Sequence, residues 1–265
     1  MYSSFQLGLR YLRYYLTASN GKGHGVHSPF VFSFITEVLN DDRSFYAFSG
    51  IEIQRECLLN DSNTIFIEDL GAGSRLNKPS TRRIKDIAAS SLKPKKFSQL
   101  LFRIVDHYAP ETILELGTSL GISTSYLASA RTSSKVVTME GASAVAGKAK
   151  EVFAKLGLEN IALVEGNFDH TLQNTLSTLG KLDLGFIDGN HRYEPTIRYY
   201  RDMLPYLHEY SILIFDDIHW SREMEQAWDE IKKDSAVTLS IDLFFIGLVF
   251  FRKEQTIKQH FSIRF

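Results

Sequence analysis

Two short stretches concentrate side chains able to bind a cation or move a proton: Asp188-Gly189-Asn190-His191-Arg192-Tyr193 and Asp216-Asp217-Ile218-His219-Trp220. If both close strands on one edge of a sheet, three carboxylates meet there, and their repulsion raises their pKa values unless a cation or hydrogen-bond donors neutralise them. A hard divalent ion is the simplest neutraliser, since oxygen donors of this kind suit Mg, Mn or Ca. Such an ion binds a hydroxyl and lowers its pKa, so Asp188, Asp216 and Asp217 are the expected metal donors. His191 has the pKa range of a general base near neutrality, and His219 is a second candidate or a hydrogen-bonding support. A plainer alternative stays open, in which these aspartates cap helices or hold loop amides and Asp188 contacts substrate or cofactor directly.

A third stretch, Glu115-Leu116-Gly117-Thr118-Ser119-Leu120-Gly121-Ile122, reads as a strand turning into a helix. Gly117 and Gly121 let the backbone turn sharply and approach a ligand, and a helix starting near Ile122 presents free amides to it. The spacing is neither the three-glycine dinucleotide fingerprint nor a P-loop. Glu140 ends the next strand 23 residues after Gly117, where a carboxylate accepts both hydroxyls of a ribose. The implied ligand is a ribose without a pyrophosphate.

Side chains so far apart in sequence need a scaffold that collects strand ends. Short apolar runs at 111–117, 135–140, 161–165, 182–188 and 210–216 alternate with helix-like segments at 122–131, 143–157, 170–179, 194–207 and 222–234. Strict alternation predicts a parallel sheet covered on both faces. The runs at 237–244 and 246–253 have almost nothing between them, so they must be antiparallel neighbours. The expected fold class is α/β: a doubly wound, seven-stranded, mostly parallel sheet ending in an antiparallel hairpin. In such sheets ligands lie beyond the carboxyl ends of the strands.

Over residues 98–253 the chain resembles the class I S-adenosylmethionine-dependent methyltransferases, whose Rossmann-like sheet adds the same terminal hairpin. The resemblance implies S-adenosylmethionine as cofactor, with Glu115, Gly117, Ser119 and Gly121 lining its methionine part and Glu140, next to Gly141, holding the ribose. It also implies that Asn167 and Phe168 border the adenine and that Asp188 contacts the cofactor. The two acidic stretches look like those of the metal-dependent catechol and caffeoyl-CoA O-methyltransferases, which place an Asp after the fourth strand, a lysine three positions later and Asp-Asn after the fifth. Asp188 and Asp216 fall on ligands, Asp217 stands where the family has Asn, and His191 stands where it has the basic lysine. The implied reaction is O-methylation of a small hydroxylated molecule, with Mg or another divalent ion assisting. A non-catalytic module that retains the fold and a nitrogen or protein methyltransferase are the alternatives.

Residues 1–97 form a mainly helical extension in this reading, a cap, lid or dimerisation region, and residues 98–265 the cofactor-binding domain. Leu9, Leu12 and Leu16 follow helical spacing, and Ser28-Pro29 resembles an N-cap followed by proline in the first turn. The aromatic and arginine residues around them read as an amphipathic helix packed on the main domain or on a second subunit. Gly71–Ser74 resembles a second cofactor loop, but a basic segment follows it, so it reads as a structural loop of the N-terminal region, with part of a lid over the active site as the alternative; residues 80–97 read as a solvated helix and linker. With 44% hydrophobic and 23% charged residues among 265, the chain is a globular protein. Thirty Lys and Arg against 31 Asp and Glu argue against nucleic acid as a partner. A single cysteine and no apolar run of about 18 residues predict a cytoplasmic protein with no membrane span.

Overall fold

The computed structural model describes residues 1–67 and 80–265. The Gly71–Ser74 segment lies outside the described residues. In chain order the elements are α1 (Ser4–Thr17), α2 (Pro29–Ser33), a π-helical turn (Phe34–Leu39), α3 (Tyr46–Asn60), β1 (Thr64–Ile67), β2 (Ser80–Arg83), α4 (Ile84–Ser91) and α5 (Lys95–Tyr108). There follow β3 (Thr112–Leu116), α6 (Ile122–Ala130), β4 (Lys135–Glu140), α7 (Ser143–Lys155), β5 (Ile161–Glu165), α8 (Phe168–Leu179) and β6 (Leu184–Ile187). The chain ends with α9 (Tyr193–Met203), a 3-10 turn (Leu204–Tyr206), β7 (Ile212–Asp216), α10 (Arg222–Lys233), β8 (Leu239–Asp242), β9 (Ile246–Phe250) and β10 (Gln259–Ser262).

An eight-stranded sheet runs in the order β10-β8-β9-β7-β6-β3-β4-β5, and β1 and β2 form a separate antiparallel pair. β3, β4 and β5 are parallel, as are β6 and β7, while β9 runs antiparallel to both β7 and β8. The seven expected strands are all present, and β10 adds an eighth, parallel to β8 from Gln259 opposite Leu239 to Ser262 opposite Asp242. Its Gln-His-Phe-Ser sequence has neither an apolar run nor a β-branched residue, so only long-range pairing makes it a strand.

The chain divides into two compact units, one of residues 42–172 and one of residues 1–41 with 173–265. In the first, α3, α4, α5, α6 and α7 close a core around Phe48, Ile51, Ile84, Ile87, Phe102, Leu120, Tyr126 and Val152. Residues 80–97 therefore differ from the expected linker. Beneath the basic side chains, Ile84, Ile87 and Ala88 follow the i, i+3, i+4 spacing of a buried stripe. Arg55 fixes the turn into α5 by donating to the Lys93 carbonyl (2.7 Å) and to Ser98 Oγ (3.2 Å).

In the second unit, Tyr14 of α1 packs on Phe244 with ring centroids 5.3 Å apart, and its hydroxyl donates to the Ile263 carbonyl. α10 is well specified by its ends: Ser221 caps it by accepting the Met224 N–H, acids occupy the first turn and Lys232 and Lys233 the last. No described helix is long and apolar enough to cross a membrane.

Gly121 shows what the tight turn after β3 demands. Its φ is +82°, and a Cβ there would lie 2.6 Å from Phe153 Cε1 and 3.1 Å from Ala149 Cβ. Gly121→Ala is expected to lower stability by about 2–4 kcal/mol through left-handed strain and overpacking, read as a shift of the urea midpoint; an unchanged midpoint contradicts it.

Candidate functional site

In the 42–172 unit, the ends of β3 and β4 bring Glu140 against the Gly117–Gly121 turn, while Asn167 and Phe168 follow β5 and Asp188 lies in the other unit. Gly117 turns the chain at φ +106°, a region open to glycine, and Ser119 follows at +48°. The Ser119 N–H donates to Glu140 Oε2 (2.8 Å) and the Ala142 N–H to Glu140 Oε1 (3.0 Å). The carboxylate that ends β4 is thus fixed against the Gly117–Gly121 turn. Burial raises its pKa, and the amides of Ala142, Ser119 and Gly141 offset that only in part.

Glu115 lies beneath the same turn and is fully buried. Its Oε2 accepts from the Thr124 and Thr138 hydroxyls, the latter at 2.6 Å, while Oε1 is buried without a hydrogen-bond partner. Desolvation pushes this carboxyl up to about 7, against the opposing pull of the two threonines and Lys93. An orphaned acidic oxygen below a glycine turn is suited to a positively charged donor. Sequence reading missed Ser91 and Lys93, which lie in the stretch taken as a linker. The Ser91 and Ser119 hydroxyls are 2.8 Å apart, and Lys93 is buried within electrostatic range of Glu115. A lysine before a proline carries no signal of burial.

The adenine-side pair lies at the start of α8, Asn167 half-buried and Phe168 buried. Asn167 accepts the Asp169 N–H through Oδ1 (2.9 Å), which makes it a turn-forming residue before α8, and Phe168 is buried in the helix's first turn.

In the other unit, Asp188 after β6 and Asp216 at the end of β7 meet His191: one ligand atom from each lies within 4.8 Å of the others. Asp216 is buried, Asp188 and His191 partly so, and His191 Nε2 is 3.6 Å from Asp188 Oδ1. The turn that brings His191 back is strained, with Asn190 at φ +69° and His191 at +25°. Asn190 Nδ2 donates to the Tyr199 hydroxyl (3.2 Å), anchoring the turn to α9.

Asp217 and His219 are not part of this group. Asp217 sits at φ +55°, and its N–H donates to the Phe245 carbonyl (2.7 Å). That backbone conformation turns the residue after Asp216 into a loop corner. Among the described residues, the group close enough to share an ion is two carboxylates and an imidazole. Donor atoms sharing one ion at about 2.0–2.2 Å are roughly 3–4 Å apart, so small side-chain rotations would let Asp188, Asp216 and His191 fit a divalent ion.

His219 is held between two acids. Nε2 lies 2.8 Å from Asp242 Oδ2 and Nδ1 lies 3.3 Å from Glu225 Oε1, and the ring stacks on Phe244. Glu225 also accepts from the Tyr2 hydroxyl (2.6 Å) and pairs with Arg10 (3.0 Å). Burial lowers the imidazole pKa, but the two carboxylates outweigh it and the net shift is upward. Both ring nitrogens are engaged in the charged form, which suits a structural imidazolium and leaves no lone pair for a base.

A histidine with a raised folded-state pKa stabilises fully below its unfolded value of about 6.5, and that contribution is lost as pH rises through the folded value. His219→Gln is therefore expected to cost about 1.5–3 kcal/mol below pH 6, and the gap from the unsubstituted protein narrows at higher pH. Denaturant curves across that range check it; a gap that widens with pH contradicts it.

A methyltransferase-domain family model matches residues 114–218. No curated protein matches in sequence. Among solved structures, the SAH-bound Podospora anserina methyltransferase PaMTH1 is 17% identical with TM-score 0.55, over 81% of this chain and 100% of its own. The O-methyltransferase TomG from Streptomyces achromogenes, solved with SAM, is 17% identical with TM-score 0.55, over 84% of this chain and 95% of its own. An O-methyltransferase from Bacillus cereus, solved with SAH, is 16% identical with TM-score 0.54, over 83% of this chain and 97% of its own. At this identity the likeness is one of fold.

Proposed function

From the match of a methyltransferase-domain family model to residues 114–218 and the mostly parallel sheet, we propose S-adenosylmethionine-dependent O-methylation of a small hydroxylated molecule, carried out in the cytoplasm. The observation that carries the proposal is the Glu140 carboxylate fixed by the Ser119 and Ala142 amides against the Gly117–Gly121 turn. It is an acceptor preorganised for a ribose diol, in a turn with no phosphate-binding spacing. The structural relatives solved with SAM or SAH support the same cofactor. Residues 98–265 are assigned to cofactor binding and residues 1–97 to a cap.

S-adenosylmethionine brings a methyl group already activated on a sulfonium, so the protein has to position reactants and remove a proton. Glu140 orients the donor, and the buried Glu115 carboxyl, through its hydrogen bonds from Thr124 and Thr138, would support the glycine turn beside the donor's methionine part. Asn167 and Phe168 would border the adenine. On the acceptor side, His191 takes the hydroxyl proton as the oxygen gains the methyl group, and Asp188 stabilises the imidazolium that results. A divalent ion on Asp188, Asp216 and His191 would lower the acceptor's pKa. With a nitrogen donor in the set, Mn, Fe, Co, Ni or Zn suits it better than Mg or Ca.

The test is transfer of labelled methyl from S-adenosylmethionine to a panel of catechols, phenols and hydroxy acids. Methyl ether formed in step with S-adenosylhomocysteine supports the proposal; cofactor binding without transfer to any acceptor favours a binding module. Excess EDTA separates the roles of His191. Lost turnover restored by one ion makes it a ligand, and full turnover leaves it the base.

A further inference from the structure

α1 is apolar on both sides. Leu7 and Tyr14 pack inward against Phe244, while Phe5, Leu9, Leu12 and Leu16 face outward with 75%, 53%, 52% and 68% of their surface exposed. At 100° per residue these four lie within about 60° of one another. Their 4-3-4 spacing is that of the a and d positions of a heptad, the seam by which one helix packs into another. Tyr15, also exposed, borders it. At roughly 150–200 Å² for a fully exposed large side chain, the stripe with Tyr15 presents about 500 Å², within the range of the largest apolar patch a monomer leaves in water.

We propose that this stripe is the contact between two copies of the chain, with the two α1 helices packed antiparallel about a two-fold axis. Two such stripes bury about 1,000 Å² together, the least that a specific interface needs. An antiparallel pair sets Leu9 against Leu12 of the partner subunit and Phe5 against Leu16 of the partner subunit. It opposes the helix dipoles and separates the two copies of Arg13, which a parallel pair would bring together. The rim argues for a second copy over an anionic lipid surface. The cleft of about 590 Å³ beside the stripe is lined by Arg10 and Arg13 but also by Glu225, Asp229 and Asp242. A lipid surface selects a cationic rim, whereas one bearing both signs complements itself under two-fold symmetry.

Sedimentation velocity on the full chain is the test, with a Leu12→Glu, Leu16→Glu double variant that alters only exposed positions. The unsubstituted chain is expected to be a dimer at micromolar concentration. The double variant should raise the dimer dissociation constant at least 100-fold, with its circular dichroism unchanged. With the exposed Cys57 replaced by serine, mixed Phe5→Cys and Leu16→Cys chains should cross-link to each other, and neither should cross-link alone. A chain that is monomeric at 50 μM, or a dimer that survives both glutamates, overturns the proposal. So does a monomeric chain that pelts down with phosphatidylcholine–phosphatidylserine vesicles only while the stripe is intact, since that assigns the stripe to lipid.

Discussion

Glu140→Ala is expected to weaken S-adenosylhomocysteine binding by at least about 100-fold. A hydrogen bond to an ionised group is worth about 1.5–3 kcal/mol, and losing two of them, one to each ribose hydroxyl, exceeds the roughly 2.8 kcal/mol that a 100-fold change requires. The loss should not be confused with unfolding. Glu140 also accepts the Ser119 and Ala142 amides, so some destabilisation accompanies the substitution. Glu140→Gln separates the two effects, because it keeps an acceptor for one amide and the side-chain volume while losing the charge; its binding loss should be intermediate and its melting temperature closer to the original. Calorimetric dissociation constants within threefold of the unsubstituted value for both variants would show that Glu140 only holds the turn.

His191→Ala should lower kcat by about 100-fold or more, the ordinary contribution of a positioned base, with S-adenosylhomocysteine affinity within a few-fold of the original. The pH profile carries the sharper information. A base must be deprotonated to act, so turnover by the unsubstituted protein should rise with pH and then level off. In the alanine variant that rise should disappear. Asp216→Asn should impair turnover as well, because it removes a carboxylate from the buried side of the group that meets His191. Unchanged kcat in His191→Ala would remove the imidazole from the reaction.

The parts of this architecture visible in the sequence are those with a local period. β3 to β7 alternate with helices as apolar runs, and β8 and β9 sit too close together for anything but a hairpin. The glycine turn after β3 and the acid that ends β4 were legible as local features because run, glycines and acid follow one another within a single βαβ unit. The departures have non-local causes. The cluster formed by Asp188 and Asp216 takes in His191 and not Asp217 because loop side chains are aimed by backbone dihedrals: positive φ at Asp217, Asn190 and His191 redirects them in a way no spacing reveals. His219 reads as a base until Asp242 and Glu225, 23 and 6 residues away, occupy both its nitrogens. The stretch at 80–97 looks solvated because its lysines and arginines dominate the composition, while three small or branched apolar residues decide its packing.

Titration calorimetry with S-adenosylhomocysteine on the unsubstituted chain bears most directly on whether this turn was shaped for an adenosine joined to an amino acid. One molecule should bind per chain with a dissociation constant below about 100 μM, close to −5.5 kcal/mol, and adenosine diphosphate should not compete. No heat and no displacement at high micromolar ligand, or equal competition by the diphosphate, would contradict that reading.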